Sequence, residues 1–320
     1  MAFDGITIAN IVKELNDTIL NGRIAKIAQP ENDELLLTIK PAKGQVRLVI
    51  SASASLPLIY LSRDNKPSPM TAPNFCMLLR KHIANGRIVG ISQPSLERII
   101  RFEIEHLDEL GDLCRKSLIV EIMGKHSNII LCDDNNTILD SIKHISAQTS
   151  SVREVLPGRP YFIPNTSDKI NPLEADRKHF DETVFTKPVP VVKALLSSYT
   201  GISTCIAEEL AYRAGVDGGH PANCLDEPMK DALYNVFDAL MSDVRNGIYH
   251  PDMVTDNGVP AEFAAVKLSM YDNHTEYDSI SRLIIDYYRQ KEIATRIHQK
   301  SVDIRRIVTT HLERAYKKLD

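Results

Sequence analysis

The sequence predicts an α+β protein: a β-rich first domain (1–175), a helical domain (178–250), a β return (251–276) and a long terminal helix (277–320). Three observations predict it. Residues 21–30 read NGRIAKIAQP and residues 85–94 read NGRIVGISQP, matching at seven of ten positions, each after a helix-period stretch and before a strand-period one. From about residue 189 the apolar spacing becomes helical. From Tyr277 to Asp320 there is neither proline nor glycine.

The elements follow in order. Ile8, Ile11, Val12, Leu15 and Ile19 recur every three to four residues and mark the first helix, which Gly22 is expected to stop. Leu35–Ile39, Val46–Ile50 and Leu58–Leu61 read as strands. A loop with Pro67, Pro69 and Pro73 leads to the second helix (Phe75, Leu78, Leu79, His82), Gly86, and a strand at Ile99–Ile104. The repeat therefore predicts two helix–strand–turn–strand units. A meander follows: Leu118–Ile122, a turn at Gly124-Lys125-His126, Asn128–Leu131, a turn at 133–136, and Ile138–Ile142. Residues 157–175, with Pro157, Gly158, Pro160, Pro164 and Pro172, read as the exit loop.

Val191–Leu196 begins the helical part. Ile206, Ala207, Leu210 and Ala211 mark a helix that stops at Gly215, and further helices fit 224–247. Phe263, Val266 and Leu268 predict a strand at 262–270 that pairs with the first domain and makes the helices an insertion. Ile297, Ile304, Val308, Leu312, Ala315 and Leu319 form a near-heptad stripe. A coiled coil that starts here and continues past residue 320 is expected, with self-association through the stripe.

Composition narrows the function. The 320 residues carry a net charge of −4, so nucleic-acid binding would need local basic patches. No run approaches the roughly 18 apolar residues of a membrane helix, so no membrane is expected. The start has no secretory pattern. The five cysteines include no C-x-x-C pair, and Cys76, Cys114 and Cys132 read as core thiols, implying a reducing cytoplasm and no zinc or other cofactor.

Three local patterns could carry chemistry. Gly201-Ile202-Ser203, with Ala207 beyond, fits the helix-hairpin-helix spacing, with Ser203 at the second glycine position. Such a turn aims backbone N–H groups at a phosphate; an ordinary αα-hairpin reads the same way. Glu97-Arg98 follows the second Gln-Pro, where the first copy has Asp33-Glu34. The pair is either a solvated turn or an acid that steadies a guanidinium for a phosphate or base contact. Lys125 and His126 sit on a basic turn, plain or phosphate-binding. No nucleotide-binding loop or hydrolytic motif is present.

Longer motifs resemble a known family. Ala2-Phe3-Asp4-Gly5, the paired hairpins, Asn74–His82, Glu97–Ile100, Glu121–Asn128, Asp140–His144 and Arg153–Tyr161 together resemble the N-terminal region of the NFACT family. That family includes RqcH-like ribosome quality-control factors, and some members carry a fibronectin-binding protein A-like name. The resemblance implies an N-terminal domain similar to that of formamidopyrimidine-DNA glycosylases, a helix-hairpin-helix domain and a coiled coil. It implies binding of tRNA, alanyl-tRNA by family resemblance, and of obstructed large ribosomal subunits with stalled peptidyl-tRNA, in support of C-terminal alanine tailing. The family's acid–arginine pair for tRNA maps onto Glu97 and Arg98, with glutamate in place of the usual aspartate; Asp4 matches an early aspartate. No catalysis is implied, because the ribosome performs peptidyl transfer and the Pro-Glu start of the glycosylases is missing. A fibronectin-binding adhesin is the alternative expectation.

Overall fold

The computed structural model describes residues 3–164 and 168–316; from residue 294 onward, side chains are described only at 301, 304, 305, 308 and 309. The first part contains α1 (Gly5–Ile19), β1 (Arg23–Glu31), β2 (Glu34–Lys40), β3 (Val46–Ala52), β4 (Pro57–Ser62), α2 (Asn74–Ile83), β5 (Arg87–Ser92), β6 (Ile99–Leu107), β7 (Leu113–Glu121), β8 (Asn128–Cys132) and β9 (Ile138–Ser141). Then come α3 (Arg177–Thr183), α4 (Val191–Ser198), α5 (Thr204–Ala214), α6 (Glu227–Arg245), β10 (Asp252–Asp256), β11 (Val259–Ala264), β12 (His274–Glu276) and α7 (Ile280–Tyr316). Among the described residues the strands form two sheets. One has nine strands in the order β4-β3-β2-β1-β5-β6-β7-β8-β9, and the other three in the order β11-β10-β12.

The sequence repeat is a two-fold axis in space. It passes between Arg23 and Arg87, which face each other where β1 meets β5. The Asn21 N–H donates to Ile88 O at 2.7 Å, and the Asn85 N–H to Ile24 O at 2.9 Å. The Ile24 N–H donates to Gly86 O at 2.9 Å, and the Ile88 N–H to Gly22 O at 3.0 Å. Side chains obey the same symmetry: Asn16 Nδ2 donates to Ile91 O and Arg80 Nε to Ile27 O, both at 3.0 Å. Even the β-bulges match, one after Ile24 and one after Ile88. The helices cross over, with α1 packed on β5 and α2 on β1.

The helix stops differ from expectation. Asn21 and Asn85, not the glycines after them, take positive φ, at 64° and 61°. Asparagine tolerates this region through its short polar side chain. Gly22 and Gly86 instead allow close approach: a Cβ would meet Ile39 Cγ2 at 2.8 Å or Ile104 Cγ2 at 2.7 Å.

Helix α1 is buried on two sides. Ile8, Ile11, Leu15 and Ile19 enter a core shared with the large sheet, α2 and the start of α7. Ile6 and Ala9 enter a second core built from α3 to α6. Each fully buried isoleucine contributes about 1.5–3 kcal/mol, so α1 ties the two cores together. Glu14 on α1 accepts hydrogen bonds from the Ser279 and Ser281 hydroxyls, and Ser281 Oγ accepts the Leu61 N–H at 2.9 Å. This pins the start of α7 to α1 and β4.

Three expectations are corrected. The segment 262–270 does not join the large sheet: β11 ends at Ala264 and pairs with β10, Met253 opposite Phe263. Val266 and Leu268 mimic strand alternation because the helical core buries them, whereas Met253 and Phe263 reach the sheet's core. Side-chain packing thus joins this segment to both cores without a shared ladder. Cys114 is half-exposed, unlike buried Cys76 and Cys132, because β7 starts at Leu113, beyond the edge of the core. The coiled coil is not evident: α7 packs against α1, β4, β10 and β11 among the described residues, and Ile304 and Val308 of the stripe are 61% and 50% exposed. Ile297, Leu312, Ala315 and Leu319 lie outside the described side chains.

Candidate functional site

Three segments distant in sequence meet at one point: the start of α1, the loop after β5, and the turn between α4 and α5. The Gly5 N–H donates to Gly201 O at 2.9 Å. A Cβ on Gly5 would lie 2.2 Å from Leu96 O, and one on Gly201 2.5 Å from the same oxygen. Only glycine fits at either place, and Gly201 also has φ +77°. Gln93 Nε2 fastens the middle segment, donating to Gly5 O and Glu97 O at 2.8 Å each. Ser95 and Leu96 take positive φ of 46° and 56°, and the Leu96 side chain is buried in the helical core. Here the two halves of the repeat diverge. In the first half the same stretch closes a tight hairpin with Glu31 opposite Glu34; in the second it bends away to reach α1 and the α4–α5 turn.

Asp4 and Ser203 lock this junction. Asp4 caps α1, its Oδ1 accepting the Thr7 N–H at 2.8 Å. Its Oδ2 accepts the Ser203 hydroxyl at 2.7 Å. Ser203 in turn caps α5, accepting the Ile206 N–H at 3.3 Å. Burial pushes the Asp4 carboxyl up, against the pull of Thr7 and Ser203. The expected phosphate-binding turn thus already holds an internal carboxylate.

Around the junction opens a cleft of about 830 Å³. Asp4, Glu97, Arg98, His126, Gly201 and Ser203 all line it, so six of the seven residues singled out in the sequence converge; Lys125 does not line it. Phe3, Leu96, Met123 and Ile163 supply apolar wall. Burial pushes the Glu97 carboxyl up, opposed by Arg98 and Lys169. Burial pushes the Arg98 guanidinium down, opposed by Glu97 and Asp4. Arg98 therefore sits half-buried in the field of two carboxylates, which restrains a planar, fork-shaped donor.

Two further cations of the cleft, Arg153 and Lys169, were not among the candidate site residues. Arg153 pairs with Glu121, which is 1% exposed, and donates to Phe162 O at 2.6 Å. Tyr161 Oη donates to the same carboxylate at 2.9 Å, and the guanidinium lies 5.3 Å over its ring. Only the family-like stretch 153–161 pointed here, with no role attached. Among the described residues no group of three or more His, Cys, Asp or Glu could hold a metal, and no helix is long and apolar enough to cross a membrane.

The fold and cleft define a class: a two-fold sheet domain joined to a helical domain through a glycine-packed junction that walls a polar cleft. The chain belongs to the NFACT family, whose model of the NFACT N-terminal and middle domains matches residues 4–320. It is 34% identical over 320 residues to the Rqc2 homolog RqcH of Bacillus subtilis, covering 100% of this chain and 54% of that protein. The chain thus spans about half the length of the curated relatives it matches. Among solved structures it is similar to the fibrinogen binding protein from Staphylococcus aureus, with TM-score 0.76 and 29% identity over 90% of this chain and 99% of that one. It is also similar to the N-terminal part of the fibronectin/fibrinogen-binding protein from Streptococcus suis, with TM-score 0.75 and 30% identity over the same shares. A fainter likeness, TM-score 0.38 at 12% identity, extends to the MutM (Fpg) protein from Thermus thermophilus.

Proposed function

We propose that this chain is part of a ribosome quality-control factor that binds tRNA in the cleft at Glu97 and Arg98. Its relatives named RqcH and its family membership support the quality-control role. The observation that carries the tRNA reading is the convergence of Asp4, Glu97, Arg98 and His126 in one cleft. In this reading Arg98 makes the contact, while Glu97 and Asp4 hold its guanidinium in a productive orientation. Docking on an obstructed large ribosomal subunit with stalled peptidyl-tRNA, recruitment of alanyl-tRNA and support of alanine tailing belong to the same proposal. The chain itself acts by binding, and the ribosome supplies the chemistry, in a cytoplasmic setting.

The test is Arg98→Ala in tRNA titrations at several salt concentrations. A base-edge contact would cost about 1–3 kcal/mol. A phosphate contact would lower the salt slope by about one unit. Wild-type affinity in the variant would reject the reading. Fibronectin, after which a structurally similar protein is named, belongs in a parallel titration. Tight fibronectin binding by a chain that ignores tRNA would favour the adhesin reading instead.

A further inference from the structure

We propose that Lys169 is a second phosphate-contacting residue of the cleft, working with Arg98 on one bound nucleic-acid backbone. The inference rests on the tRNA reading above and deepens it.

Lys169 lines the same cleft as Glu97 and Arg98 but comes from a different part of the chain, the segment that leads into the helical domain. Its backbone neighbourhood is fixed. The next residue, Ile170, donates its N–H to Ser198 O at 3.1 Å and accepts the Thr200 N–H at 2.9 Å, forming a parallel bridge with Tyr199. Lys169 is therefore carried on the same backbone unit as Gly201, the glycine that packs against Gly5 and Leu96. A docked unit, not a free loop, sets its distance from Arg98. The side chain itself is exposed, so it can reach a ligand.

The local charges favour an anion. Glu97 lies within the field of both Arg98 and Lys169. Burial, and after it the like charge of Lys169, push the neighbouring Lys187 ammonium down. Lys187 donates to the Ser197 and Ser198 hydroxyls at 2.9 and 2.7 Å, which hold it in place. Two neighbouring ammonium groups repel, and a phosphodiester placed beside Lys169 relieves that repulsion. Arg98 and Lys169, both lining the cleft, thus form a two-point grip on a backbone, and Glu97 is in the field of each.

The experiment uses the full chain and fluorescently labelled deacylated tRNA, titrated across a salt series, with thermal melting of every variant. Lys169→Ala is expected to weaken binding roughly five- to tenfold and to lower the salt slope by about one unit. Lys169→Arg is expected to restore both, because it keeps the charge. Lys43→Ala removes the same charge from an exposed loop away from the cleft and is expected to bind like wild type. If Lys169→Ala binds like wild type while Arg98→Ala is weakened, this proposal is overturned and the tRNA reading stands. If Arg98→Ala also binds like wild type, the tRNA reading fails and takes this proposal with it. An equal loss in Lys43→Ala would show only diffuse attraction and would likewise overturn the two-point grip.

Discussion

Replacing Gly201 with alanine tests the junction most directly. Two penalties add at this position. The backbone sits at φ +77°, where an L side chain costs about 1–2 kcal/mol. The new Cβ would also stand 2.5 Å from Leu96 O and 3.1 Å from Gly5 Cα. Both are backbone atoms, so relief requires the loop after β5 to move; overpacking of this kind costs about 1–3 kcal/mol. Together about 2–5 kcal/mol is expected. Gly44 provides the control, because it has nearly the same φ, +78°, and nothing within 4 Å of a Cβ. Gly44→Ala isolates the conformational penalty, and the difference between the two variants measures the crowding. The assay is urea denaturation of wild type and both variants, followed by tRNA titration of each under folding conditions. Gly201→Ala should lose more stability than Gly44→Ala and should also lose tRNA affinity. Equal losses in the two variants would refute the claim that Gly5, Leu96 and Gly201 are packed too tightly for a methyl group.

Other outcomes follow from the same structure. Asp4 has its carboxyl raised by burial above the ordinary 3.8, so the folded state binds this proton more tightly than the unfolded chain. Its contribution is therefore greatest below pH 3.8 and falls as pH rises through the folded value; Asp4→Asn, which still caps α1, should flatten that part of a stability–pH profile, and an unchanged profile would contradict it. Glu14→Ala removes the acceptor for Ser279 and Ser281. A cost of about 1.5–3 kcal/mol is expected, with faster amide exchange at the start of α7, and unaltered exchange there would show that α7 is held by packing alone. Ile293, Ile304 and Val308 are at least half exposed, so the chain is expected to self-associate as concentration rises, and Ile304→Glu with Val308→Glu should abolish this; a strict monomer by light scattering at every concentration would rule it out.

The sequence made the repeat, its flanking helices and most strands legible, because each has one face against a core and so shows a clean period. It did not reveal that α1 is buried on two sides, because Ile6 and Ala9 disturb the period only slightly. The three-stranded sheet was blurred for a related reason. Tertiary packing, not a strand, buries Val266 and Leu268, and that produced a false alternation. Within the cleft, Glu97 and Arg98 were visible as the point where the two copies differ. Arg153 and Lys169 were not, because both arrive on aperiodic proline-containing segments: the first is placed by bridges to the sheet's last turns and by Glu121, the second by the bridge of Ile170 to Tyr199.

The crossing of α1 and α2 over the two-fold axis has a consequence for how this molecule is made. Each helix roofs the strand that belongs to the other copy, and the strands are stitched by reciprocal bonds across the seam. The arrangement is that of a swapped dimer fused into one chain. Each copy completes its core with the other's helix, so the two are expected to fold together: a nascent chain that has emerged only through β4 still lacks α2, the helix that packs on β1. Cooperative closure must wait until α2 and β5 are synthesised, and the binding loop after β5 can be set in place only after that event.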